Sequence, residues 1–260
     1  ILGRTAARLS GEPGAAAPAA IAFTLIPQTK LFIGEALPDE PYLLFWALGL
    51  AFCARLVARS SRRDAIALGL ALGGVLLSRF FGFALVGGIV AFALVSDRAG
   101  ALRRALPTAL ALAACVYAPF LFWNATHGWS NVAFTFHRQA IEGFQPGHLL
   151  VLSSLRYWIA AVPFWIAGYF VALRPRYDLI AWTALPFPTV LAFLAFLGPG
   201  ESYWILGPFA SLCVGLGIAI ARWPALTRAF VALAASLPAL VTAATVLVTS
   251  LPENAQAAVV

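Results

Sequence analysis

Apolar residues fill this chain in long blocks, each closed by a short polar or Pro/Gly-rich turn. A bilayer-crossing helix needs roughly 20 apolar residues. On that measure the pattern predicts spans at 15–36, 41–58, 65–78, 80–96, 105–123, 149–172, 179–198, 204–221 and 225–251. Turn signals separate most of them: Pro38 and Pro41, Arg62-Arg63-Asp64, Pro146-Gly147, Pro175 and Gly198-Pro199-Gly200. The stretch between Asp64 and Asp97 is too long for one ordinary crossing and short for two. A helical hairpin with its tip at Arg79-Phe80-Phe81-Gly82 resolves it, because only two crossings leave the flanking arginines on one side. Helices of about 16 residues reach only about 24 Å, so this tip is expected to stop below the surface.

Composition agrees with the pattern. Hydrophobic residues make up 62% and charged residues 10%, and mean hydropathy is +0.90. A soluble domain carries roughly 25% charged residues. The expected fold is therefore all-α: a polytopic integral membrane protein of about nine transmembrane helices, forming one domain over 1–260. The segment 124–148 is its outer loop. Ile1 opens the chain and no Met occurs in it, so it reads as an N-terminally truncated fragment of a longer protein. Cys53, Cys115 and Cys213 lie inside apolar runs without metal-like spacing and read as core residues.

Charge sorts by side. With nine spans, 13 of the 17 basic residues share one face: Arg4, Arg8, Arg55, Arg59, Arg62, Arg63, Arg98, Arg103, Arg104, Arg174, Arg176, Arg222 and Arg228. The positive-inside rule makes that face cytoplasmic. Arginines standing singly or in pairs between apolar runs are an orientation signal, and no nucleic-acid partner is expected. The opposite face holds Glu35, Asp39, Glu40, Glu201 and Glu253. Four cations belong to this outer half: Lys30, Arg79, Arg138 and Arg156. A basic group at such depth snorkels to the interface or faces a cavity, a partner or a headgroup. A guanidinium fork matches phosphate oxygens, and a nearby carboxylate can serve as a general base.

The segment from Trp123 to Trp129 opens the longest polar stretch. After it Trp129, Val132, Ala133, Phe136 and Ala140 recur at helical spacing, which predicts a helix lying in the outer interface. His127, His137 and His148 are spaced by ten and eleven, so no metal site is expected from them. Asn124-Ala125-Thr126 matches a glycosylation sequon, a weak three-residue pattern.

Four stretches together resemble the polyprenyl-phosphate-dependent membrane glycosyltransferases of the GT-C class, which include protein O-mannosyltransferases and the aminoarabinose transferase of lipid A. Leu37-Pro38-Asp39-Glu40-Pro41 is similar to their Asp-x-Pro segment. Gly69-Leu70-Ala71-Leu72-Gly73 followed by Leu77-Ser78-Arg79-Phe80 resembles a Gly-rich helix ending in Ser-Lys and an aromatic, with Arg79 at the Lys position. Trp123-Asn124-Ala125-Thr126-His127-Gly128-Trp129 is similar to Trp-Asn-x-x-His-Gly-Trp, and Glu201-Ser202-Tyr203-Trp204 to a late acidic-aromatic loop.

The resemblance implies sugar transfer from a polyprenyl-phosphate donor to a lipid, glycan or protein acceptor, with inversion, at the periplasmic face of a bacterial inner membrane. It implies a catalytic role for Asp39 and places Arg79 and Arg138 at the donor phosphate. Lys30, Arg156, Asn124, His127, Trp129, Glu201 and Tyr203 complete the candidate substrate site. Another acidic residue, taken as the main base in this family, would precede residue 1. No cofactor is required by this chemistry, and a divalent metal is compatible with it. The alternative is a multi-span transporter or flippase, which Arg156, Lys30, Pro27 and Pro119 within spans would suit. Against it stand the lack of an internal repeat and of an acidic residue deep in a span. A purely structural membrane subunit leaves the acidic turn unexplained.

Overall fold

The computed structural model describes residues 1–24, 38–131, 133–134, 162–185, 206–230 and 232. Among them all regular structure is helical. The helices are α1 (Leu2–Ser10), α2 (Ala16–Thr24), α3 (Asp39–Ala58), α4 (Arg62–Ser78), α5 (Gly82–Val95), α6 (Gly100–Thr126), α7 (Val162–Ala172), α8 (Asp178–Ala184) and α9 (Leu206–Arg222).

The charged residues of each long helix stand near its ends. In α3, Asp39 and Glu40 occupy the first turn and Arg55 the last. Each charge therefore complements the helix dipole where it stands. Ser61 starts α4 by accepting the Asp64 backbone N–H on its hydroxyl at 3.2 Å, the usual N-cap arrangement. Beside it Arg55 and Asp64 form an ion pair at 2.7 Å that ties the α3–α4 loop.

The expected hairpin is present: α4 ends at Ser78, the chain turns through Arg79–Phe81, and α5 returns from Gly82. A Cβ on Gly82 would lie 2.6 Å from the Val75 carbonyl oxygen, so this turn accepts only glycine. Helices α4 and α6 both run away from the arginine-rich end. They meet through Gly69, against Ala109 and Leu112, and Gly73, against Val116. Without side chains at those positions the two backbones approach closely, as helices do where water cannot drive packing. On another face of α4, Gly74 receives the Phe45 ring of α3.

Helix α9 is buried on all sides from Leu206 to Ile220. An all-apolar surface suits a helix enclosed by neighbours, here α1, α2, α3, α7 and α8. Glycines mark the close approaches: Gly215 to Gly168 of α7, Gly217 to Ala15 and Ala19, and Gly207 to Tyr42 and Trp46 of α3. Trp46 Nε1 donates to Ser211 Oγ at 3.0 Å within this core.

The described residues contain only part of the expected set of spans. Among the described residues two helical runs, Asp39–Ala58 and Asp97–Thr126, are long and apolar enough to cross a membrane. A third would be Leu206–Arg222 with Pro224–Phe230, but that pair is bent by 118°. The hairpin helices of 17 and 14 residues are short, as the spacing of Asp64 and Asp97 required. Parts of the spans expected at 15–36, 149–172, 179–198 and 225–251 lie outside the described residues. Two boundaries also moved. Helix α6 continues through Thr126 rather than ending at 123, so the first three residues of the expected 124–148 loop are helical. The short helix α1, with Arg4 and Arg8 exposed and Leu2, Thr5 and Ala6 buried, has no counterpart among the expected spans because nine residues are too few for a crossing.

Candidate active site

At the end of the helix pair opposite Arg55 and Asp64, α3 begins and α4 stops. Asp39 is the first residue of α3, and its side chain is 3% exposed. Glu40 beside it is exposed. Helical geometry explains the contrast: Asp39, Tyr42 and Trp46 share one face of α3, and that face is buried. Arg79, in extended backbone just past α4, pairs its Nη2 with Asp39 Oδ2. Its side chain is 25% exposed.

The carboxylate is incompletely used. Asp39 Oδ1 is buried and accepts no hydrogen bond from the described residues, and the Tyr42 hydroxyl one turn along is likewise buried without a partner among them. Buried polar atoms are nearly always hydrogen-bonded, and here one orphan, the Tyr42 hydroxyl, belongs to neither member of the ion pair. Tyr42 packs edge-on against Trp46 at 5.5 Å and contacts Gly207 of α9.

Helix α6 ends on the same side of the bundle. Asn124 is fully buried and donates its amide to the Phe120 carbonyl at 2.9 Å, while its Oδ1 has no partner among the described residues. Its backbone carbonyl accepts from His127 at 3.2 Å and from Trp129 at 2.8 Å. Gly128 (φ 63°) and Trp129 (φ 56°) are both left-handed, which reverses the chain after the helix. His127 is exposed and stacks on Trp123, with ring centroids 4.4 Å apart and planes 11° apart. Its Nδ1 lies 2.8 Å from the Trp123 carbonyl oxygen. A carbonyl only accepts, so Nδ1 is the donor in this contact. The Trp-Asn-x-x-His-Gly-Trp pattern is thus a helix terminus that holds one imidazole by its Nδ1 and its stacking on Trp123.

Between the two helix ends runs a line of aromatic rings. Phe80 meets Phe83 at 5.5 Å, Phe83 meets Tyr117 at 5.9 Å, and Tyr117 stacks on Phe120 at 5.2 Å. Phe80 and Phe122 remain 74% and 72% exposed, an apolar wall beside Arg79 and the end of α6.

Of the expected site residues, the structure joins Asp39 to Arg79 and assembles Asn124, His127 and Trp129 into one turn. Lys30, Arg138, Arg156, Glu201 and Tyr203 lie outside the described residues, as does Glu35. Tyr42 is the residue that sequence reasoning missed. Its signal was available, since it stands three residues after Asp39 and so on the same helix face. Among the described residues no group of three His, Cys, Asp or Glu is placed to hold a metal ion.

Comparison with known proteins agrees with this architecture. The family model for dolichyl-phosphate-mannose-protein mannosyltransferase matches residues 1–123. No curated protein sequence gives a significant match. Two solved structures of ArnT from Cupriavidus metallidurans superpose on 97% of the chain. The apo state has a TM-score of 0.68 at 18% identity, and the state bound to undecaprenyl phosphate 0.67 at 19%. The chain spans about half their length, 49% in each case. It is therefore an integral membrane protein with the ArnT fold, whose residues 1–123 match the mannosyltransferase family model.

Proposed function

We propose that the chain is a working part of a membrane glycosyltransferase that moves a sugar from a polyprenyl-phosphate donor to a lipid, glycan or protein acceptor. The reaction is placed at the periplasmic face of a bacterial inner membrane. The acceptor hydroxyl attacks the anomeric carbon, the bond from that carbon to the phosphate oxygen breaks, and polyprenyl phosphate leaves. Transfer needs cations where negative charge collects on the phosphate and a base for the hydroxyl proton.

The observation that carries this reading is the Arg79–Asp39 pair, set at the end of the bundle away from the arginine-rich loops. Asp39 Oδ2 orients the guanidinium, which supplies positive charge for the donor phosphate. Asp39 Oδ1, without a partner among the described residues, is the atom available to take a proton. Lys30, Arg138 and Arg156 add cations for the phosphate. Asn124, His127, Trp129, Glu201 and Tyr203 bind the sugar and the acceptor, and the exposed aromatic wall takes the start of the polyprenyl chain. None of these roles requires a cofactor. Support comes from the fold shared with ArnT, one structure of which holds undecaprenyl phosphate.

The test is donor and acceptor binding in the full-length protein with Arg79→Ala. Donor affinity is expected to fall by at least tenfold with acceptor affinity nearly unchanged, on the scale of one charge-assisted hydrogen-bonded contact, about 1.5–3 kcal/mol. Equal weakening of both would make Arg79 structural. Transport of an intact donor or solute without any glycosidic bond cleavage would support the transporter instead.

A further inference from the structure

At the arginine-rich end, four guanidinium groups gather around one six-residue turn, 173–178. Arg98 enters from the α5–α6 connection and donates to the carbonyl oxygens of Pro175 (3.3 Å) and Arg176. Arg176 donates to the Ser10 carbonyl at 3.1 Å, reaching the end of α1, and lies over the Tyr177 ring at 5.9 Å. Arg222, from the end of α9, lies over the same ring at 5.3 Å, and Arg174 lies over Trp223 at 5.7 Å.

Only one carboxylate among the described residues answers them. Asp178 pairs with Arg98 at 3.5 Å and also accepts from the Ser96 hydroxyl. Glu12 and Asp97, on neighbouring loops, form no ion pair among the described residues, and neither Arg174, Arg176 nor Arg222 has a carboxylate partner there. The C-terminal dipoles of α7 and α9 offset about one further positive charge between them. Roughly two charges are left over, held close together by two aromatic rings. Like charges repel at such separations, so the arrangement is most stable with an anion present.

The chemistry of that anion follows from its surroundings. Trp223 is partly exposed at the bend after α9, as tryptophans are at headgroup depth. Guanidiniums match phosphate oxygens in pairs, and basic pockets between helices on the cytoplasmic side hold anionic headgroups. We propose that Arg174, Arg176 and Arg222, with Trp223 and Tyr177, form a binding site for the phosphodiester headgroup of an anionic phospholipid on the cytoplasmic side. It is separate from the Asp39–Arg79 end and independent of the sugar-transfer reading.

Trp223 is the reporter. The full-length protein is reconstituted in phosphatidylcholine vesicles that carry either phosphatidylglycerol or phosphatidylcholine brominated near the top of the acyl chains. The Trp223 signal is taken as the difference between wild type and Trp223→Phe. Brominated phosphatidylglycerol is expected to quench it at several-fold lower mole fraction than brominated phosphatidylcholine. Arg174→Gln and Arg222→Gln should each reduce that preference by about fivefold, while Arg63→Gln, on the same face outside the cluster, leaves it intact. Equal quenching by the two lipids in the wild-type protein would overturn the proposal without any arginine variant. So would a preference that survives in the Arg174→Gln/Arg222→Gln protein. Abolition of the preference by millimolar inorganic phosphate would assign the site to a soluble anion and overturn it as well.

Discussion

The α3–α4 pair carries an arginine–aspartate bridge at each end, and the two bridges are built alike. In both, the aspartate sits in the first turn of one helix and the arginine at the finish of the other. Both carboxylates are buried, 3% exposed for Asp39 and 2% for Asp64, and both leave one oxygen unpartnered. Favourable placement on helix dipoles explains either bridge equally. What separates them is their company. Asp64 and Arg55 lie nine residues apart across a short loop, and Ser61 shares the loop with them. Asp39 and Arg79 are 40 residues apart. Tyr42, with its idle hydroxyl, is one turn away, and exposed Phe80 follows Arg79 directly. A buried ion pair with an idle oxygen is therefore no signature of chemistry in itself; the added Tyr42 hydroxyl and the exposed Phe80 beside it are.

The sharpest way to break this comparison is to neutralise both aspartates in turn. Asp39→Asn in the full-length protein should lower sugar transfer by about 100-fold or more, the scale of a lost acid–base group. Asp64→Asn should cost about 1–3 kcal/mol of stability through its unpaired neighbour and leave turnover per folded molecule nearly unchanged. Equal losses of turnover in the two variants would erase the distinction. Donor binding sharpens it further: retained donor affinity in Asp39→Asn marks a group acting on the acceptor, whereas lost affinity marks one that positions Arg79.

A smaller effect is expected midway between the ends. At Gly73 even a Cβ would lie 2.5 Å from the Val116 side chain. Gly73→Leu should therefore destabilise the α4–α6 contact by about 1–3 kcal/mol, which thermal unfolding in detergent would measure. The smallest effect belongs to Gly128→Ala, where a left-handed backbone with open space around it costs about 1–2 kcal/mol. Because the strain falls on the turn that carries His127, transfer should slow while the Arg55–Asp64 end is unaffected.

Much of this is legible in the chain. The hairpin follows from counting residues between Asp64 and Asp97 and asking which side each arginine must face. The Asp-x-Pro resemblance separates Asp39 from Glu40, and helix phase gives the physical reason. The pairing of Asp39 with Arg79 is not legible, because no local pattern connects positions 40 residues apart. Asn124 reads as a loop residue because it is polar and follows Trp123. In fact its amide bonds back onto Phe120, which lets a polar residue finish a helix in full burial. The break after Arg222 is legible, since the expected spans 204–221 and 225–251 already part there, but the 118° bend across it is not.

The hydrogen bond from Trp46 to Ser211 has a mechanical consequence. Deep between apolar helices no water competes for either group, so the bond acts as a dowel that sets the rotation of α9 against α3. Gly207, one turn nearer the site, is already pressed on Tyr42. Any turning of α9 about its axis would have to shear both contacts at once. An incoming molecule therefore meets a fixed wall on the α9 side of Asp39.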